Sequence, residues 1–391
     1  MALTFGAISG LGPAAGIYGS VILGIVASLF GGTKSLITEP TGPMTVMATA
    51  LVLQYSVQDP NFGLYGIAAI LVLAGIFQFL FGYFKLGKYI TMMPYPVISG
   101  FMTGIGVLLV LQQIPGIMGL TVQGVSTWER TLSLGSQIRN IKWVELLIGG
   151  STFLILLFYP KGWKKFIPPH VPALLAMTLL GTLVFSSWEI STIGSFEIGF
   201  PKFVIPWGGL RNFQTIIVQA LLLALLGSID TLLTAMISDS LTREHHDSNR
   251  ELMGQGLANL TSGLFGGLPG AGATMGTVVT IQNGSRSPAA GLFRSLFLLV
   301  GVAALGPWLQ YIPSAALAGI GLKVGLDIID WSFIPKAYRI SRSTFLIMAS
   351  VLVVTVFVDL LVAVGIGVFL ANILTIEKIS QLAKISVSAI D

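Results

Sequence analysis

Apolar stretches of membrane-crossing length run through most of this chain, and two of them stop short at proline and glycine. Residues 61–84 (NFGLYGIAAILVLAGIFQFLFGYF) and 212–237 (NFQTIIVQALLLALLGSIDTLLTAMI) are continuous, and each exceeds the roughly 20 mostly apolar residues a helix needs to cross hydrocarbon. Charged residues make up only 9% of the chain and hydrophobic ones 54%. A soluble domain carries about 25% charged residues, because water-facing surface requires them. Here lipid must do part of the solvating. The period-2 alternation of a membrane barrel is missing, so the fold class is an all-α polytopic membrane protein.

Several functions fall away at this stage. The chain has no cysteine, which removes disulfides, thiol nucleophiles and Cys-based metal sites. Its formal charge of +5 is spread over separate short loops, so no nucleic-acid partner is expected; lipid is. The stretch GAGATMG at 270–276 misses G-x-G-x-x-G spacing, and no G-x-x-x-x-G-K-[ST] occurs, which disfavours an ATP-driven pump. His170, His245 and His246 form no Ser/His/acid or zinc pattern, so the chain does not read as an enzyme. The opening MALTFGAISGLGP shows no secretory signal and reads as the second half of a span, the remnant of a longer first helix.

Fourteen segments are predicted, at 1–11, 13–30, 41–55, 61–84, 93–113, 142–159, 169–187, 212–238, 250–265, 274–283, 287–305, 312–327, 343–358 and 360–380. Segments 3 and 10 read as half-length. A long polar loop separates segments 5 and 6. The loops after segments 4, 6, 8, 10 and 12, together with Lys378 and Lys384, hold thirteen Lys and Arg. The opposite side holds five: Arg130, Arg139, Lys142, Lys202 and Arg211. The positive-inside rule makes the richer side cytoplasmic and puts both termini there.

The segments also repeat. LFGG occurs at 29–32 and again at 264–267, each time before a Gly/Pro-rich break: TEPTGPMTV at 38–46 and LPGAGATMGTV at 268–278. Further on, MPYPVISGFMTGIGV (93–107) parallels IPSAALAGIGLKVGL (312–326). Two halves of seven segments follow, and because seven is odd the second half is inverted. Broken segments at matching places in inverted halves point to a transporter's binding site near mid-membrane.

The breaks have their own chemistry. Backbone cannot leave the helix in lipid without exposing unpaired N–H and C=O groups, so both breaks must be buried or line a wet cavity. Each precedes a half-helix whose first turn has free N–H groups and a partial positive charge. Two such starts meeting at mid-membrane make an anion site without a cationic side chain. Pro40 and Pro43 remove competing donors, Gly42, Gly270 and Gly272 admit close approach, and Thr41 and Thr274 add hydroxyls. Asp230 lies deep in segment 8, with Thr234 one turn on along the same face. Carboxylate, hydroxyl and the carbonyls of a broken helix suit a hard cation. The plainer alternatives are an Asp230 that hydrogen-bonds a neighbouring helix or is protonated. Glu39 is read as structural, at a half-helix start, rather than as a competitor of a bound anion. Asp239, Asp327, Asp330 and Asp359 are expected to be solvated at membrane boundaries, Lys323 and Arg294 to snorkel, and His245 and His246 to be solvated in a loop.

The run GGTKSLITEPTGPMTV, followed by PYPVISGFMTGIG, resembles the signature region of the SulP family of anion transporters. With SIDTLLTAMISDSLT and GLPGAGATMGTVV, it is similar to the family's cyanobacterial bicarbonate-carrying members. The resemblance implies seven plus seven inverted segments, divided into a core (about 1–84 and 212–305) and a gate (about 85–211 and 306–380). It implies sodium-coupled bicarbonate symport across the plasma membrane by alternating access. The anion would lie between Thr41 and Gly42 on one side and Ala273 and Thr274 on the other. Sodium would be held by Asp230, Thr234 and Thr274, with backbone oxygens of Gly272 and Ala273. Transport of sulfate or another small anion, or of a nucleobase, and anion-channel activity are the alternatives. Family members usually continue into a cytoplasmic STAS domain, whereas this chain ends at Asp391. A homodimer aided by that missing domain is the expected assembly. Animal relatives place an arginine where this chain has Ala273-Thr274, so sodium near Asp230 is expected to help neutralise the anion.

Overall fold

A computed structural model describes residues 1–358 apart from 59, 92–93, 121, 123–126, 161, 164–166, 186, 195–198, 200, 202 and 205–212. Segment 14, Asp359, and the basic residues Lys161, Lys164, Lys165, Lys202, Arg211, Lys378 and Lys384 lie outside the described residues.

The described chain is helical almost throughout. It runs α1 (Ala2–Ser9), α2 (Pro13–Phe30), α3 (Gly42–Gln58), α4 (Pro60–Tyr83), α5 (Gly87–Thr91) and α6 (Tyr95–Met118). Then come α7 (Thr127–Gln137), α8 (Trp143–Phe158), α9 (His170–Leu179), α10 (Phe213–Thr242) and α11 (Ser248–Leu264). The last are α12 (Thr274–Gln282), α13 (Ala289–Leu309), α14 (Ser314–Ile328), α15 (Ile334–Ile340) and α16 (Arg342–Phe357). Two strands of two residues each, β1 (Thr38–Glu39) and β2 (Ala271–Gly272), precede α3 and α12. Local chemistry sets the helix ends. Pro13 occupies the first turn of α2, where its missing N–H is harmless. The Asp247 carboxylate accepts from the N–H groups of Asn249 and Arg250 to start α11, and Ser341 accepts from Thr344 N–H to start α16.

Among the described residues five helices are long and apolar enough to cross a membrane: Pro13–Phe30, Tyr65–Tyr83, Tyr95–Met118, Phe213–Thr242 and Ala289–Leu309. Of these α13 is the least covered by protein, and Phe293, Phe297, Val300 and Trp308 are exposed along it, as suits a lipid-facing helix. Two elements depart from the expected pattern. The loop after segment 5 contains α7, which buries none of its residues. Segment 3 is also longer than expected. Helix α3 has 17 residues and α12 has 9, about 25 Å against about 14 Å at 1.5 Å per residue. After Pro43 the chain meets no proline before Pro60, so nothing in that stretch stops the helix early.

Packing relies on small residues, as expected where lipid tails are as apolar as leucine and close approach supplies the attraction. A methyl group on Gly256 would fall 2.6 Å from Gly75 O, so the backbones of α11 and α4 touch. The same holds between α1 and α2, where a methyl on Gly6 would meet Gly12 O at 2.6 Å, and between α6 and α14 at Gly106 and Gly325 O, 2.7 Å. Helices α2, α4, α10, α11, α12 and α13 pack among themselves, as do α6, α8, α14 and α16. Helices α1 and α3 lie where the two groups meet, against α14 and α6 respectively.

Asp330, expected to be solvated, is instead a junction. It accepts from Tyr95 and Ser99 of α6, each at 2.8 Å, and from Ser332 Oγ and Phe333 N–H. Partial burial pushes its carboxyl up, but these donors outweigh burial and hold it below the usual carboxylate range.

Candidate functional site

The two breaks lie against each other. β1 and β2 pair antiparallel, with Thr38 opposite Gly272 and Glu39 opposite Ala271. Ala273 N–H extends the pairing by donating to Ile37 O at 2.7 Å, and Thr277 Oγ1 accepts from Ile37 N–H at 3.0 Å. This short ladder satisfies backbone that left its helices in a buried place, as a nonpolar surrounding demands. It also fixes where α3 and α12 begin. The first backbone bonds of these helices run from Thr45 N–H to Thr41 O and from Thr277 N–H to Ala273 O, both 2.9 Å. The N–H groups ahead of them belong to the open first turns.

Helix α10 runs past both breaks and touches each. Thr41 Oγ1 donates to Asp230 Oδ2 at 2.8 Å, tying α10 to the start of α3. Thr231 Oγ1 accepts from Gly272 N–H at 3.1 Å, and Thr234 Oγ1 donates to Gly272 O at 2.9 Å. Thr234 and Thr274 hydroxyls are also 2.9 Å apart. A hydroxyl has one proton, and that of Thr234 goes to Gly272 O, so Thr274 is the donor in that pair. Asp230, Thr231 and Thr234 are all buried, at 7%, 0% and 0% exposure. Every residue predicted for the site is therefore close to this junction: Thr41, Gly42, Gly272, Ala273 and Thr274 at the breaks, Asp230 and Thr234 on α10. Thr231 was not foreseen.

The oxygen set fits a small hard cation of single charge. It comprises one carboxylate, the hydroxyls of Thr234 and Thr274, and the carbonyls of Gly272 and Ala273, with no donor reaching Asp230 Oδ1 among the described residues. Among the described residues no group of three His, Asp or Glu side chains assembles, which leaves sites rich in carboxylate or imidazole without support.

A second set of contacts holds the breaks from behind. On α11, Glu251, Gln255 and Asn259 are buried and spaced four residues apart, so they share one face. Asn259 brackets Gly270, accepting from its N–H at 2.8 Å and donating to its C=O at 3.0 Å. Gln255 donates to Thr38 Oγ1 at 2.6 Å. None of the three was singled out from sequence, although their i, i+4, i+8 spacing in NRELMGQGLANLTSG was readable as a polar stripe.

Two charge expectations need correcting, those for Arg294 and His246. Arg294 does not snorkel; its guanidinium pairs with Glu39 beside the first break, which neutralises both groups in a half-buried setting. Lys323 reaches the exposed carboxylate of Asp327 one turn along α14, in keeping with a side chain that extends toward the helix end. His246 is folded inward rather than solvated, with Nδ1 2.7 Å from Asp239 Oδ2 and Nε2 2.8 Å from Ser248 Oγ. The partner of Arg294 is 255 residues away in sequence, and those of His246 lie within seven. His245 is exposed, as expected.

Comparison with known proteins gives a consistent answer. Residues 1–351 match the sulfate permease family. The bicarbonate transporter BicA of Picosynechococcus is 49% identical over 386 residues, covering 98% of this chain and 68% of that protein. BicA of Synechocystis is 48% identical over 97% of this chain and 67% of its own length. The putative sulfate transporter YvdB of Bacillus subtilis is 33% identical, with 98% and 72% covered. Among solved structures, the transmembrane domain of a cyanobacterial BicA superimposes with a TM-score of 0.88 at 46% identity, covering 93% of each chain. SLC26A9 shares the fold at a TM-score of 0.86 and 18% identity, over 96% of this chain and 63% of that one.

Proposed function

The chain belongs to the sulfate permease family and is a multi-pass membrane protein, and from that footing we propose that it is a sodium-coupled bicarbonate symporter of the plasma membrane. The observation that carries the proposal is the antiparallel pairing of β1 with β2, which brings the starts of α3 and α12 to one place beside Asp230.

Electrostatics make the pieces interdependent. Each helix start is worth about half a positive charge, so the two together supply about one. Asp230 contributes one negative charge, a sodium ion one positive, and bicarbonate one negative. The sum is near zero when both ions are bound or neither is, and is off by about one charge when either binds alone, so the two ions travel together. With sodium absent, the Asp230 carboxylate faces an incoming anion directly; with it present, the repulsion is offset. Bicarbonate lies between Thr41 and Gly42 and Ala273 and Thr274, and sodium on Asp230, Thr234, Thr274 and the carbonyls of Gly272 and Ala273. The Arg294 guanidinium is engaged with Glu39, which leaves the helix starts and sodium to offset the charge of the anion.

A seven-plus-seven inverted arrangement is supported by reciprocal packing. Helix α4 packs on α11 as α2 does on α13, and α6 packs on α16 as α8 does on α14. Exchanging the two halves interconverts the members of each set. The helices that hold the breaks act as the core, and the group around α6 and α14 as the gate against which it moves. The seam between them at α1 and α3 opens alternately to the two sides, with both termini cytoplasmic.

Sulfate is the competing cargo, given the names borne by more distant relatives. A divalent anion would leave about one uncompensated negative charge in this site. Labelled bicarbonate uptake into vesicles, challenged with excess unlabelled bicarbonate or sulfate, checks the choice. Bicarbonate is expected to suppress uptake and sulfate to have little effect; equal suppression by sulfate would overturn the assignment.

A further inference from the structure

We infer that Glu251, Gln255 and Asn259 form a rack on α11 that sets the spacing of the two helix starts and so tunes the affinity of the site for its anion. The inference deepens the function proposed above and depends on it.

Each rung grips a different non-helical piece of chain. Glu251 Oε2 accepts from Gly32 N–H at 2.9 Å and Thr33 N–H at 2.8 Å, in the loop leaving α2. Gln255 Nε2 donates to Thr38 Oγ1 in β1 and, at 3.1 Å, to Glu251 Oε1, which ties the first two rungs together. Asn259 brackets Gly270 on both its N–H and its C=O, one residue before β2. Its amide also donates to Gln78 Oε1 of α4 at 2.6 Å. Exposure is 1%, 0% and 2% along the rack, so water does not compete for these bonds.

The support is stiff. At Gly256 and Gly75 the backbones of α11 and α4 are in direct contact, so α11 is packed closely along α4. One helix therefore holds the first break at Thr38 and the second at Gly270. A donor at a helix start discriminates its ligand over tenths of an ångström, so residues that never touch the anion can control its binding. Such residues are positioning residues. A purely structural role would show itself differently, as less folded protein working with unchanged affinity.

The test uses initial bicarbonate uptake in proteoliposomes, normalised to folded transporter. Asn259→Asp keeps the volume and the acceptor for Gly270 N–H but loses both donated bonds. Gln255→Met removes the Thr38 rung with little change of shape. Each loses two buried hydrogen bonds and is expected to raise the bicarbonate KM by at least about tenfold, the scale of one such bond, with turnover changed less than about twofold. Ser295→Ala, a buried hydroxyl on α13 outside the rack, is expected to leave KM unchanged. Thr274→Val, inside the proposed site, separates the two claims. If it raises KM while both rack variants leave KM alone, the rack is overturned and the site stands. If Thr274→Val also leaves KM unchanged, the site itself is wrong and the rack falls with it. Failure of both rack variants to yield folded protein assigns the rack to folding and overturns the proposal.

Discussion

Asp230→Asn is expected to abolish the sodium stimulation of bicarbonate uptake while leaving the protein folded. Asparagine has the same shape, and its Oδ1 can still accept the Thr41 hydroxyl that now goes to Asp230 Oδ2. What disappears is the charge. Removing one partner of a buried ion pair costs about 3–5 kcal/mol, which corresponds to at least about a hundredfold loss of sodium affinity. Any uptake that remains should be flat across a sodium titration. Vesicle uptake measured with and without an inward sodium gradient is the check. A variant that keeps its full sodium stimulation would remove Asp230 from the cation site and leave it as a hydrogen-bonding residue between α10 and α3.

Gly270→Ala is expected to have an effect of similar size for a steric reason. A methyl group at this position would lie 2.7 Å from Glu39 C and closer still to its carbonyl oxygen. That oxygen is backbone, held opposite Ala271 by the strand pairing, and cannot swing aside as a side-chain tip would. The two breaks must separate, or one must twist. Inserting a methyl into a packed interior costs about 1–3 kcal/mol or more, and here the strain falls on the spacing between the helix starts. The expected result is loss of transport by about 10–100-fold with insertion into the membrane retained. Gly301→Ala, where a methyl would meet nothing within 4 Å, is the matched control and is expected to transport normally. Normal transport by Gly270→Ala would mean that the junction tolerates separation, contrary to a site built on its geometry.

Much of this architecture was legible because the bilayer imposes simple rules. Long apolar runs had to be helices, and prolines and glycines inside two of them had to mark buried breaks. The boundaries of α2, α8 and α12 follow from those signals to within a residue or so. The acid at position 230 stood out because charge deep in an apolar run is expensive. The strand pairing was not legible, since two residues of TE and AG carry no periodic signal; only the tertiary fold brings Thr38 to Gly272. The same is true of Arg294 and Glu39. Hydropathy reports how deep a charge lies along its own helix and says nothing about a partner more than two hundred residues away. The Glu251–Gln255–Asn259 face sat in a segment less apolar than its neighbours, where its polar residues could be read as ordinary solvated positions. Helix α7 was missed for the converse reason: it buries nothing, so its composition resembled a loop.

Uptake of labelled bicarbonate into vesicles containing the purified protein, with sodium and bicarbonate varied independently, tests the shared site most directly. Two ions that neutralise each other at one junction must raise each other's affinity by the same factor. The bicarbonate KM should fall as sodium rises, the sodium requirement should fall as bicarbonate rises, and uptake without sodium should sit at background. Saturable uptake at full rate in sodium-free buffer, with a bicarbonate KM indifferent to added sodium, would contradict it.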